Sequence, residues 1–353
     1  MPDINVTADL PQAYGHSSAT AELRRAPEDF QVDEELGFEP EGEGEHLWLW
    51  IEKRGINTDQ LARRLVKIAG VKQSDISYAG LKDRHAFIRQ WFSVHFPKWD
   101  VASAAQWQEA EWRVLRAAKA RRKIRRGSLH GNRFIITLRD VRGEQQDIES
   151  RLERIAACGV PNYFGEQRFG HDNLQRAEAM ARGEGRVTDR HLRGIYLSTL
   201  RSALFNAVLA RCVRDDTWDR ALPGEALNLD GSRSFFIADQ IDEGIAARLA
   251  QGDIHPTGPL WGNGEPPCRG EALALERSVI AECPAIWKQG CADAGMEQER
   301  RPLRLMARRL IGRWRGDGAL DLEFSLPAGC YATAVIREIA DYDINRRAAI
   351  SAE

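Results

Sequence analysis

The stretch Tyr78–Val94, "YAGLKDRHAFIRQWFSV", places one carboxylate, Asp83, between Lys82 and the pair Arg84 and His85. Flanking cations hold a carboxylate in its ionised form. Just before an apolar strand, such a group can act as a nucleophile or as an acid/base. The same residue types also suit an aspartate that caps a turn or joins a surface ion pair, and composition leaves both readings open. A second candidate lies in "GNRFIITLRDV", where strand alternation projects Asn132 and Phe134 the same way, about 7 Å apart. Such a ring can stack on an unpaired base while the amide reads an edge or a sugar; an aromatic on a strand face can equally be core. The segment "PNYFGEQRFG" combines aromatic, amide and cationic side chains with glycines. It suits a hinge contacting RNA or a packed turn.

Charge adds a partner signal that the total conceals. The 353 residues carry a net charge of −2. Yet Glu28 to Glu45 holds nine acids and no base, while Arg113 to Arg139 holds ten bases and no acid. A partner meets a patch and not the sum. The densest part is "KARRKIRR", with Lys119, Arg121, Arg122, Lys123, Arg125 and Arg126 as six cations in eight residues. Concentrated cations attract phosphates and gain from counterion release, which favours a nucleic acid over the bland reading of a solvated helix face.

The elements that must position these groups follow from periodicity. Phe30 and Val32 alternate in a short strand, and Leu47–Ile51 forms an apolar one. "INTDQLARRLVKIAG" reads as a helix capped by Asn57, with Gln60 three residues on and Gly70 as its stop. Its Leu61, Leu65 and Ile68 share a face. Phe92, Val94 and Phe96 alternate with Trp91, Ser93 and His95, and "QQDIESRLERIAACG" is an amphipathic helix ending at Gly159. Beyond "GVPNYFGEQRFGHDN" the chain becomes mainly helical. "YLSTLRSALFNAVLARCV" is predicted as a helix and "HPTGPLWGNGEPPCRG" as a loop. Strand alternation returns in "LDLEFSLPAGCYATAVIREI". The mixture lacks regular βαβ alternation, so the predicted class is α+β, with one domain interrupted by another.

Several classes are disfavoured. Six scattered cysteines show no CxxC or Cys/His pairing, which argues against zinc and against a disulfide scaffold. There is no phosphate loop, GxGxxG, HExxH or GxSxG, so an enzyme here is expected to use neither metal nor nucleotide cofactor. No apolar run long enough for a membrane span occurs, and no signal peptide is expected, which predicts a soluble, cytoplasmic protein. A monomer is expected.

The segments "PEDFQVDEELGFEPEGEGEHLWLWIEKRGINT", "YAGLKDRHAFIRQWFSV", "RRKIRRGSLHGNRFIITLR", "GVPNYFGEQRFG", "RSALFN" and "LPAGCYATAVIRE" occur in this order. Together they resemble the TruD family of tRNA pseudouridine synthases over residues 22 to 340 or so. The resemblance implies a pseudouridine synthase core, mixed α/β around a bent sheet, of residues 1–157 and 305–353, interrupted by a helix-rich TRUD domain of residues 158–304. It implies a cofactor-free isomerisation of uridine 13 in tRNA, with Glu-accepting tRNA as the usual substrate. Asp83 matches the family's essential aspartate. Phe134 would stack on the target base, Asn132 would fix the nucleotide or Asp83, and Tyr331 falls where the family has an aromatic near the active site. Lys82 and Arg24 are further expected substrate contacts, the cations flanking Asp83 would keep it ionised, and the basic run would hold tRNA backbone. Base flipping is expected. Arg24 stands where the family often has lysine; it keeps the charge but not the geometry. A non-catalytic RNA-binding or RNA-folding protein is the alternative, and a cofactor-free hydrolase of small substrates a more distant one.

Overall fold

The computed structural model describes residues 10–82, 84, 86–95, 100–170, 172–185 and 187–344. Its contacts divide the chain into two compact units. One holds residues 19–152, 308–329 and 340–353; the other holds residues 1–18, 153–307 and 330–339. Strands and helices are mixed in both, as the α+β reading expects. Among the described residues, no helix is long and apolar enough to cross a membrane.

The first unit is built on an eleven-stranded sheet. Its main path runs Arg308–Trp314, Leu320–Pro327, Gly131–Arg142, Phe30–Glu35, Phe87–His95, His46–Lys53, Trp112–Ala120, Gln108–Glu109. Phe30–Glu35 pairs in parallel with Phe87–His95, while Gly131–Arg142 is antiparallel to both of its neighbours on this path, so the sheet is mixed. Alternation gives the strand His46–Lys53 two apolar faces. Leu47, Leu49 and Ile51 pack with Phe92 and Val94 beneath the helix Thr58–Ala69, while Trp48 packs with Trp91, Leu36 and Ile124 on the other side. The helix has its expected ends. Asn57 Oδ1 accepts the Gln60 N–H at 2.8 Å, the Gln60 side chain accepts the Asn57 N–H at 3.3 Å, and Gly70 takes a left-handed φ of 67°. Phe96, expected to continue the strand, lies outside the described residues.

The second unit centres on the helix Arg190–Arg214, capped by Asp189 and buried along most of its later turns. It also carries a four-stranded sheet, ordered Phe235–Ala238, Glu225–Leu229, Ile254–Leu260, Glu299–Pro302, that the sequence reading missed. The start of the tract expected as loop is therefore a strand. Its prolines are accommodated because pairing changes sides midway. Residues Ile254–Pro256 pair with one neighbour and Thr257–Leu260 with the other, so Pro259 lies beyond the ladder to the first.

This unit buries charge. Arg300 holds Glu276 at 2.6 Å, with both side chains almost wholly enclosed. Nearby, burial pushes the Glu225 carboxyl up to about 8, partly opposed by Arg300. The native state thus keeps a proton that the unfolded chain releases near the ordinary carboxylate value. Stability should be fullest below about pH 4.5 on this account and fall as pH rises to about 8, by on the order of a few kcal/mol. Denaturant unfolding of the wild type and Glu225→Gln across that range checks this: the mutant profile should be flatter by that amount.

Candidate active site and basic strip

The strand Gly131–Arg142 places Asn132 opposite Glu34 on one neighbour and Leu326 on the other; Phe134 lies opposite Val32 and Phe324. Residues paired across a ladder share a face, so Asn132, Phe134, Glu34 and Phe324 face the same way. Onto this face comes Lys82. Its ammonium donates to Asn132 Oδ1 at 2.7 Å and lies 3.3 Å from Glu34 Oε1, while Glu34 Oε2 accepts the Trp91 N–H at 3.0 Å. Glu34 is enclosed and Lys82 nearly so. Burial pushes the Glu34 carboxyl up and the Lys82 ammonium down, and each is held back by the other's charge.

The turn that brings Lys82 here is fastened by its own backbone. Thr58 Oγ1 accepts the Lys82 N–H at 2.9 Å and donates to Gln90 Oε1 at 3.0 Å. Gln90 Nε2 in turn donates to the Gly80 carbonyl at 2.6 Å. Two residues past Lys82, the Arg84 carbonyl accepts the Gly55 N–H at 3.1 Å. Asp83 and His85 lie outside the described residues. The described geometry is therefore that of the anchors before and after residue 83.

Arg24 sits at a left-handed φ of 61°, a conformation that L side chains rarely adopt, with its guanidinium 4.0 Å above the Phe30 ring. Phe30 meets Phe134 edge-on at 6.1 Å, and Phe134 stacks on Phe324 at 5.6 Å. Phe134 is only 6% exposed and Asn132 only 8%. A base that stacked on Phe134 would have to use that small opening or displace a neighbouring ring. The structure thus brings Lys82, Asn132, Glu34, Phe134 and Arg24 into one sheet unit. Tyr331 belongs to the other compact unit. There it precedes the helix Ala332–Ile336 and meets Phe164 edge-on at 6.2 Å.

Two charged residues with enclosed partners escaped the sequence reading. Glu34 sits in an acidic run that reads as surface; its alternation with Phe30 and Val32 was the available signal. Arg301, in a stretch that also reads as exposed, is half-buried in the second unit, 4.1 Å over Phe164 and donating to Asn162 Oδ1 at 2.7 Å.

The basic run is not a helix face. Lys119 is the last residue but one of the strand Trp112–Ala120, and Arg121, Arg122, Lys123, Arg125 and Arg126 lie in the connection that follows. Buried Ile124 pins that connection, its N–H donating to Ser93 Oγ at 3.0 Å, and the Gly127 N–H donates to the Ala79 carbonyl at 2.9 Å. Arg126 donates to the Tyr78 hydroxyl at 3.0 Å. The acidic run folds onto the same strip: Arg116 holds Glu39 at 2.7 Å, Arg121 pairs with Glu43, and Arg122 lies 4.0 Å from Glu41. Among the described residues no group of three or more His, Cys, Asp or Glu side chains could hold a metal ion.

In fold, the chain is similar to the crystal structure of a candidate tRNA pseudouridine synthase D (TruD) from Methanosarcina mazei. The TM-score is 0.72 at 22% identity, covering 95% of this chain and 96% of that one. The two share a mixed α/β fold. Sequence narrows the class. The family model for tRNA pseudouridine synthase D (TruD) matches residues 13–184 and 172–339. The tRNA pseudouridine synthase D of Xanthomonas euvesicatoria pv. vesicatoria is 47% identical over 351 residues, 95% of each chain. That of Pseudomonas aeruginosa PAO1 is 48% identical over 333 residues, 94% of this chain and 93% of its own. The chain belongs to the TruD family.

Removing one member of a buried ion pair strands the other charge, at a cost of about 3–5 kcal/mol. Lys82→Met should lower unfolding stability by that order, and Lys82→Met with Glu34→Gln should recover much of it. A double-mutant cycle by denaturant titration measures the coupling; additive losses would mean that Lys82 does not sense Glu34.

Proposed function

We propose that this chain is a tRNA pseudouridine synthase that isomerises uridine 13, with Glu-accepting tRNA as substrate and Asp83 as the catalytic residue. The observation that carries the reading is the Lys-Asp-Arg-His turn at residues 82–85, present in a chain that matches curated tRNA pseudouridine synthases D over 95% of its length. The anchors on either side of residue 83 support it, since a reacting carboxylate must be held in place.

The reaction exchanges one bond at the sugar. The C1′–N1 bond breaks, the uracil turns, and C5 bonds to C1′ while the hydrogen on C5 leaves and N1 gains one. Nothing is oxidised or reduced, so the chemistry asks for a charge, a base and a held substrate. Asp83, flanked in sequence by Lys82, Arg84 and His85, would assist departure of the base as a carboxylate, by attack or by charge. Phe134 has no group that can take a proton and would serve as a stacking surface. Asn132, already bonded to Lys82, would fix the nucleotide or Asp83, with Arg24 and Tyr331 as further substrate contacts. Lys119, Arg121, Arg122, Lys123, Arg125 and Arg126 would meet the tRNA backbone, and the target would leave its stack. The same reading divides the chain into a catalytic domain of residues 1–157 and 305–353 and an inserted domain of residues 158–304. It takes the protein as a cofactor-free cytoplasmic monomer.

Tritium release from tRNA bearing 5-tritiated uridine tests this, because the new bond at C5 expels that hydrogen. Wild type should release one equivalent per tRNA. Release should vanish when uridine 13 is replaced by cytidine. Asp83→Asn should lose about three orders of magnitude or more in rate while keeping its tRNA affinity. Binding without release by the wild type would instead favour an RNA-binding protein.

A further inference from the structure

We propose that the acidic loop "FEPEGEGEH" lies on the basic strip as a surrogate for nucleic-acid phosphate, so that Glu39, Glu41 and Glu43 compete with RNA for its arginines. The inference rests on the RNA-binding part of the proposed function and adds a competitor for the same cations.

The loop is fitted to the strip by its backbone. The Gly42 N–H donates to the Lys119 carbonyl at 2.9 Å, and Glu41 Oε2 accepts the Arg121 N–H at 3.2 Å. Gly44, at a φ of 115°, packs so closely on the Ala120–Arg121 backbone that a Cβ would lie 2.5 Å from Ala120 O. Only glycine permits that approach. The loop's own chemistry supplies the rest: glutamates alternate with glycine or proline, so each carboxylate reaches the strip without bulky neighbours. Glu39 meets Arg116 at 2.7 Å, Glu43 meets Arg121, and Glu41 lies 4.0 Å from Arg122. Hydrogen bonds from its own N–H and that of Arg121 hold the Glu41 carboxyl below its ordinary value, so it stays ionised.

These pairs are exposed, with side-chain accessibilities of 72% for Glu39 and 65% for Glu43, and solvent screens them. A phosphate can therefore replace a carboxylate at little cost. The rest of the strip differs: among the described residues no carboxylate is paired with Lys123 or Arg125, and Arg126 is held by the Tyr78 hydroxyl. Any RNA meets the open cations. An RNA that goes on to Arg116, Arg121 and Arg122 must displace a carboxylate from each. Each displaced carboxylate subtracts a little from the phosphate contact that replaces it, so the loop lowers affinity for any RNA that covers these arginines.

The test compares wild type with a Glu39→Gln, Glu41→Gln, Glu43→Gln triple variant, which keeps the glycines and removes only charge. Affinity is measured for Glu-accepting tRNA and for an unstructured RNA of equal length, across a salt series, with tritium release and thermal melting in parallel. We expect the variant to melt near the wild-type temperature and to bind both RNAs more tightly, by about tenfold. The slope of log K against log salt should steepen by about 0.7 for each cation freed. Unchanged affinity and slope for both RNAs would overturn the inference while leaving the isomerase reading in place. Wild type that binds neither RNA would remove both.

Discussion

The Lys82 ammonium is the point through which the sheet and the turn before Asp83 are joined. Two strands bring their partners into place. The pairing that sets Glu34 opposite Asn132 also sets Val32 opposite Phe134, so a shift of one residue would send the whole row to the other face. A buried ion pair of this kind is a poor source of net stability, because desolvating both charges cancels most of their attraction. What it provides is definition. Lys82 has one geometry in which its charge is met, and the hydrogen bonds that its N–H donates to Thr58 Oγ1 and that Gln90 donates to the Gly80 carbonyl agree with that geometry.

That agreement reaches back to a helix start. Thr58 is the first residue after the Asn57 cap, so the contact that fixes the Lys82 backbone depends on where the helix begins. Capping box, helix, strand register and ion pair thus form one chain of constraints. Each link is ordinary, and their convergence on residues 80 to 84 distinguishes this turn from a surface loop.

Legibility in the sequence followed the range of the interaction. The Asn57 cap, the Gly70 stop and the alternation of Gly131–Arg142 were readable because each is decided within a few residues. The strand Ile254–Leu260 was not, since two prolines argue against a strand unless one knows that its pairing changes sides. Glu34 and Arg300 were hidden for another reason. Charged residues are expected at the surface, and only a partner far along the chain makes their burial tolerable. The acidic and basic runs were each visible, yet nothing local says that about 80 residues of chain would bring one onto the other. The domain division and the roles of the site residues rest on family resemblance; periodicity carries none of that information.

The two charge arrangements serve opposite ends. At the sheet, Lys82 and Glu34 are sealed from water, and exchange with a solvent ion or a ligand would strand a buried charge. On the strip, the glutamates and arginines are open to water, so an incoming anion loses little by taking a carboxylate's place. A protein that must hold a reacting group still while letting a long polyanion come and go needs both kinds of pairing, and burial alone decides which is which. Glu34 and Glu39 are five residues apart in the chain. One is fully enclosed and one is 72% accessible, and the physical difference between a fixed part and an exchangeable one lies in that contrast.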